Sequence, residues 1–136
     1  MLIPYLQTRY VDGGRGETVD GTRHFDCWGL AIAVRVELFG LPELPAFGRI
    51  GRSLLVESNR AYQKYAEHLI PGDPVTGAIA AAMRGGLCLH VGVVVELDGR
   101  MGVLETGSTC GPRWQKLRDF ERHYQRVIYY RDRTDD

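Results

Sequence analysis

Neither sign of charge dominates this sequence, lysine is scarce, and long apolar runs are missing. Lys+Arg and Asp+Glu both number 17 among 136 residues, and only Lys64 and Lys116 are lysines. A neutral chain of this kind is not typical of proteins that bind nucleic acid by general neutralisation of phosphates. No apolar segment approaches the roughly 20 residues that a membrane-spanning helix needs, and the first ten residues lack the basic and apolar regions of a signal peptide. We therefore expect synthesis in the cytoplasm, no membrane span and no nucleic-acid partner.

Cysteine is also scarce. Three cysteines, an odd number, do not form a disulfide framework. Structural zinc sites usually pair their ligands as C-x₂₋₄-C, and the sequence contains no such pair. A zinc site built from Cys27, Cys88, Cys110 and His90 is therefore the weaker interpretation, and we expect neither a metal nor a cofactor.

The composition predicts one globular domain spanning residues 1–136. Hydrophobic residues make up 44% of the chain and charged residues 25%, which does not favour disorder. A chain of this length buries about two thirds of the surface that its unfolded form exposes. A core can therefore form without disulfide or metal support.

The first half of the sequence predicts helices. Four glycines among Asp12–Thr22 indicate a loop, and apolar residues at every fourth position predict a helix over Trp28–Phe39. Asp26 is a good N-cap for that helix, and Gly40 is a plausible C-terminal stop. A second helix is predicted over Ser53–Leu69.

The second half predicts strands. Apolar runs at Ala78–Met83 and Cys88–Glu96 are followed by Leu97–Arg100, which has Asp-Gly at its centre and predicts a hairpin turn into Met101–Thr106. A last strand is predicted over Arg126–Arg131. The fold class is therefore α+β, with N-terminal helices packed on an antiparallel meander sheet.

Cys27 is the first candidate for chemistry. If Asp26 caps the helix, Cys27 lies in its first turn, where unpaired N–H groups and the helix dipole favour a thiolate. Simple packing is the competing interpretation of a cysteine at a helix start. Cys88 lies in the middle of a strand without such activation, so core packing explains it better.

His90 and Glu105 are brought together by the predicted hairpin. In the register that Leu97–Arg100 imposes, Gly92 faces Glu105, and side chains two residues apart share a face of the sheet. Glu105 is then diagonal to His90, with only a glycine opposite it. A carboxylate there would fix the imidazole tautomer, as the third member of a catalytic triad does. His123 and Ser108 are the fallback candidates for this third role.

Four segments together resemble the NlpC-type cell-wall cysteine peptidases, which are minimal papain-like enzymes. The similarity runs from about Tyr10 to Glu105, and its motifs occur in the family's order and spacing. The segments are Tyr10-Val11-Asp12-Gly13-Gly14, Phe25-Asp26-Cys27-Trp28-Gly29-Leu30, Pro71-Gly72-Asp73 and His90-Val91-Gly92-Val93.

The resemblance implies a role for each matching residue. Cys27 corresponds to the nucleophile and His90 to the general base, while Asp26 and Tyr10 match positions that hold the amino end of the substrate. Trp28 stands where the family usually has serine, a variant associated with its phage-tail members, and we place it with the substrate-binding positions. Glu105 stands where the family usually has His, Asn or Gln, and the related CHAP amidases use a glutamate there.

The resemblance implies a cysteine endopeptidase that cuts peptidoglycan stem peptides at the D-glutamyl–diaminopimelate bond or a nearby amide. Its setting would be a phage or phage-like tail that acts on the cell wall, with tail proteins as partners. Two alternatives stay open: a catalytically silent assembly module of a tail tip, and an injected bacterial cell-wall toxin.

Overall fold

The computed structural model describes residues 2–44 and 69–133 of the chain. The second predicted helix lies outside these residues except for Leu69, which begins a strand. The elements in chain order are α1 Ile3–Leu6, β1 Arg9–Tyr10, β2 Arg15–Val19, β3 Thr22–Phe25, α2 Cys27–Phe39, β4 Leu69–Pro71, β5 Ile79–Arg84, β6 Leu87–Leu97, β7 Arg100–Glu105, β8 Arg113–Lys116, α3 Leu117–Glu121 and β9 Arg126–Asp132.

Helix α2 begins and ends where the sequence predicts. The Asp26 carboxylate accepts a hydrogen bond from the Gly29 N–H at 2.7 Å, which satisfies one of the first-turn donors. Gly40 adopts the left-handed conformation with φ 61°, and its N–H bonds the Val36 carbonyl. The predicted cap and stop are both confirmed.

The main sheet has the strand order β4-β9-β5-β6-β7-β8, and its pairs are antiparallel. Strands β5 to β7 form the predicted meander, and β8, which the sequence did not predict, extends it. The hairpin register that Leu97–Arg100 imposes is confirmed, with Glu96 opposite Met101. Asp98 and Gly99 both have positive φ, as a two-residue hairpin turn requires. The meander prediction is incomplete, because β9 returns to lie between β4 and β5.

The prediction of a loop over Asp12–Thr22 is wrong. Strand β2 lies within it and pairs antiparallel with β3, while β1 pairs parallel with β3 to complete a small three-stranded sheet. Asp20 and Gly21, both with positive φ, make the turn between β2 and β3. The glycines mark this turn and the approach to α2 and do not exclude a strand between them.

The core lies on both faces of the main sheet. Helix α2 covers one face, where Leu30 and Val34 pack with Val93 and Leu104. On the other face Phe120 of α3 packs with a smaller cluster of strand residues: Ala78, Ala80, Ala82, Val94, Val103 and Tyr129. In the described ranges, no helix has the length and apolar character needed to cross a membrane.

Candidate active site

Cys27 is the first residue of α2, directly after its N-cap. The N–H groups of a first helical turn have no carbonyl partner within the helix. Together with the positive end of the helix dipole, they favour a negative charge nearby. The residue is only 5% exposed. Cys27 is therefore a largely enclosed residue at the helix end where backbone donors are unpaired.

Two glycines let α2 begin close to the small sheet. The Gly14 carbonyl accepts a hydrogen bond from the Asp26 N–H at 3.0 Å. A Cβ on Gly29 would collide with that same carbonyl oxygen, and a Cβ on Gly14 would lie 2.8 Å from the Phe25 backbone. Gly14 and Gly29 are thus explained by one contact, which sets how closely the start of α2 approaches the small sheet.

His90 lies on β6 opposite Ala82, where the sheet is irregular. The register between β5 and β6 shifts beside it, so that Leu89 is an extra residue in β6. The ladder between β6 and β7 ends at the pair Val93 and Leu104, so His90 stands where these strands separate. Bulges of this kind re-aim side chains next to active sites.

The His90 ring connects the other two predicted catalytic residues. Its Nε2 lies 2.8 Å from Glu105 Oε1. Because an ionised carboxylate only accepts hydrogen bonds, Nε2 donates to Glu105, which leaves Nδ1 as the ring nitrogen available to the Cys27 side chain. Burial lowers the pKa of His90, but the bonds and charges of Cys27 and Glu105 outweigh it and raise that pKa to about 9.

Glu105 is 1% exposed and accepts hydrogen bonds at both oxygens. Besides His90 on Oε1, its Oε2 accepts from Gln115 Nε2 at 2.6 Å and from Arg113 Nε at 3.1 Å. Burial would raise the pKa of this carboxyl, but the His90 bond and charge and the two further donors hold it below its usual range. The group is therefore a buried carboxylate that stays charged.

Gly92 supplies the space between the two residues. A Cβ on Gly92 would lie 3.3 Å from the Glu105 Cβ and would collide with the Val103 side chain. The predicted approach of Glu105 to His90 across a glycine is confirmed. The fallback candidates lie elsewhere: His123 and Ser108 are exposed, and His123 contacts the edge of the Tyr124 ring.

The three residues predicted to bind substrate differ in their surroundings. Asp26 is fully buried, with one oxygen on the Gly29 N–H and the other paired with the Arg15 guanidinium. Tyr10 is half-buried and donates to Asp12 Oδ1 at 2.6 Å, and the pKa of its hydroxyl is raised by burial, by Asp12 and by the nearby charges of Cys27 and Asp26. Trp28 is 2% exposed and packs in the core under α2. Their binding roles stay predictions.

Four residues around the site were missed by the sequence analysis. Arg113 and Gln115 hold Glu105 from β8, and two rings cover His90. The Tyr124 ring stacks on the imidazole with centroids 6.0 Å apart, and the Phe120 ring lies 6.3 Å away. A strand as short and polar as β8 gives little periodic signal, and the rings are brought to His90 by α3 and the turn after it.

The other cysteines are less suited to nucleophilic chemistry. Cys88 is 3% exposed in the core, and burial raises the pKa of its thiol to about 12. Burial and the Glu105 charge also raise the pKa of Cys110, whose thiol donates to the Gly111 carbonyl at 3.1 Å. In the part of the chain that the structure describes, no three His, Cys, Asp or Glu side chains form a metal-binding group.

The arrangement has the parts for nucleophilic acyl transfer. A cysteine at a helix start interacts electrostatically with a histidine whose Nε2 is held by a buried carboxylate. The Cys27 N–H is a donor at the helix end for a developing oxyanion. Searches for known relatives find no matching family model, curated protein or solved structure.

Proposed function

We propose that this protein is a papain-like cysteine peptidase of the NlpC type that hydrolyses amide bonds in peptidoglycan stem peptides. The observation that carries the proposal is a single imidazole that is hydrogen-bonded to the buried Glu105 and interacts electrostatically with Cys27 at the start of α2. The order of the four motifs along the chain supports the family and the substrate class, with the D-glutamyl–diaminopimelate bond or a neighbouring amide as the target.

In the first half of the reaction, the Cys27 thiolate attacks the carbonyl carbon of the scissile amide. The proton taken from the thiol is held on His90 as an imidazolium, which Glu105 stabilises through Nε2. The carbonyl oxygen becomes an oxyanion near the Cys27 N–H. When the C–N bond breaks, His90 gives its proton to the leaving amine and a thioester remains on Cys27.

In the second half, water replaces the amine. His90 accepts a proton from the water as the oxygen attacks the thioester carbonyl, and the C–S bond then breaks. Cys27 leaves as thiolate, and the product acid releases its remaining proton to solvent and leaves as a carboxylate. The Tyr124 ring stacked on the imidazole and the small exposed fraction of Cys27 limit access of bulk water to both steps.

The biological setting is part of the proposal and depends on the motif resemblance. Trp28 after the nucleophile is the variant associated with phage-tail members, so we propose a phage or phage-like tail component that acts on the cell wall. An injected bacterial cell-wall toxin would use the same chemistry. A silent assembly module of a tail tip would not.

Digestion of purified muropeptides, followed by mass spectrometry, tests the activity and identifies the bond. We expect the wild-type chain to cleave, the Cys27→Ser variant to lose cleavage by at least about 10³-fold, and the Cys88→Ala variant to keep it. Equal cleavage by wild type and Cys27→Ser would contradict the proposal.

Thiol labelling separates the enzyme from the silent module. With iodoacetamide at mildly acidic pH, a Cys27 thiolate paired with His90 should be alkylated before Cys88 and Cys110, and His90→Ala should abolish this preference. Absence of cleavage together with equal, slow labelling of all three cysteines would favour the assembly module.

A further inference from the structure

Glu105 has more hydrogen-bond donors than the orientation of one imidazole requires. Its Oε1 serves His90, while its Oε2 accepts from Gln115 at 2.6 Å and from Arg113 at 3.1 Å. Both donors come from β8, where Arg113 pairs directly with Glu105 and Gln115 pairs with Val103. Residues paired across strands point to the same face, so β8 presents both side chains to the carboxylate.

The burial of Glu105 makes these donors consequential. At 1% exposure, a carboxyl group without partners would favour its neutral, protonated form. A protonated Glu105 would offer His90 a far weaker partner and would not stabilise an imidazolium. Two donors on Oε2 favour the charged form and leave Oε1 turned towards the ring.

We infer that Gln115 and Arg113 are positioning residues that keep the Glu105 carboxylate ionised and aimed at His90. Neither is placed to touch the reacting atoms, since both act through the far oxygen of Glu105. The consequence for turnover rests on the proposed peptidase function, whereas the effect on Glu105 itself is a property of the folded chain.

The two donors contribute differently. Gln115 is neutral and makes the shorter bond, so it chiefly sets the geometry of the carboxylate. Arg113 adds a positive charge, but 38% of its side chain is exposed and salt screens its contribution. The other titratable groups around Glu105 and His90 are Cys27 from α2, Cys110 from the loop after β7 and Tyr124 after α3.

The test is an NMR titration of the Glu105 side-chain carboxyl carbon in the full chain. Removing a donor destabilises the anion, so Glu105 should protonate at higher pH. We expect an upward shift of about one pH unit for Gln115→Leu and about half a unit for Arg113→Gln, with Arg113→Lys between wild type and Arg113→Gln. Arg100→Gln is the matched control, because it removes the same charge from the opposite end of β7.

Two results would overturn the inference: an unshifted Glu105 titration in Gln115→Leu and Arg113→Gln, or an equal shift in Arg100→Gln. If Gln115→Leu does not fold, the surface variant Arg113→Gln decides the question against Arg100→Gln by itself. The acid limb of the kcat/KM profile should move up in pH with the Glu105 titration. If the Glu105 titration shifts but no cleavage is detected, the positioning roles stand and the peptidase proposal is refuted. If the protein cleaves but the titration does not shift, the peptidase proposal stands and the positioning roles are refuted.

Discussion

Helix α2 contacts a buried ionic cluster at each of its two ends. At its start are Cys27, His90 and Glu105. In its last turns Arg35, which is 0% exposed, holds Asp132 through two bonds of 2.8 Å and donates a third to the Gly77 carbonyl. Both clusters join the helix to distant strands and both bury charge.

The two clusters differ in their chemistry. The Arg35 cluster joins a guanidinium, which stays protonated at every working pH, to the Asp132 carboxylate, and it attaches β9 and the β4–β5 connection to α2. The other cluster contains a histidine and a thiol, the pair to which the proposed function assigns proton transfer. Buried charge alone therefore does not distinguish the two clusters.

The largest expected effect is on stability, at the Arg35 end. Asp132→Ala leaves Arg35 buried and unpaired, so it should lower the free energy of unfolding by about 3 kcal/mol or more. Arg35→Met removes the buried charge and fills its space, so its cost should be smaller. Urea denaturation measures both. At temperatures where the variants are folded, their turnover should stay near that of wild type. A loss of turnover without a loss of stability would show that the Arg35 cluster also affects catalysis and would contradict the prediction.

The next effect is on turnover, at the Cys27 end. Glu105→Ala removes the partner of the His90 Nε2–H and should lower kcat by about 10²-fold. Glu105→Gln keeps a group that can hold the ring but stabilises the imidazolium less, so about tenfold is expected. Steady-state kinetics with circular dichroism of each variant checks this order. Wild-type turnover in Glu105→Ala would remove the triad and leave the Cys27–His90 dyad.

A pH dependence of stability is expected at the Cys27 end. The folded pKa of His90 is about 9, above the roughly 6.5 of an unfolded histidine, so the folded protein binds the proton more tightly. Its contribution is complete below pH 6.5 and is lost as pH rises to about 9, on the order of 3 kcal/mol. Urea denaturation at pH 6 to 10 should show this fall in wild type and a flatter curve in His90→Ala. An identical slope in both proteins would place the titration elsewhere.

The smallest effect is expected at the cap between helix and site. Asp26→Ala removes the bond to the Gly29 N–H and should cost about 1 kcal/mol of stability, measured by denaturation. If Asp26 also holds the substrate amine, its loss should raise KM more for peptides with a free amino terminus than for blocked ones. Equal KM changes for both peptides would leave Asp26 as a cap only.

Local sequence was sufficient where neighbouring residues decide the conformation. An N-cap at Asp26 and a left-handed Gly40 set the limits of α2, because each satisfies backbone groups of the helix end next to it. The Asp98-Gly99 turn set the hairpin register, and the two-residue period of a strand then placed Glu105 beside His90. The catalytic candidates were found because their geometry follows from these short-range rules.

Strands β2 and β8 could not be predicted in this way. Both are short and mostly polar, and each lies at the edge of its sheet with a ladder on one side. Such a segment is extended because a neighbouring strand offers it hydrogen bonds, and its own residues carry no clear period. This explains both the wrong loop prediction over Asp12–Thr22 and the failure to predict Arg113 and Gln115 as donors to Glu105.

The sequence by itself determined the helix that carries Cys27, the hairpin that joins His90 to Glu105, and the α+β class. Only the tertiary structure decided which charges are buried and paired. In the sequence, Arg35 is a polar residue on a predicted helix with nothing to indicate that it is buried, because its partner Asp132 is 97 positions away. The donors from β8 and the Tyr124 ring reach the site in the same way. Burial and pairing depend on which distant surfaces pack together, and no local propensity records that choice.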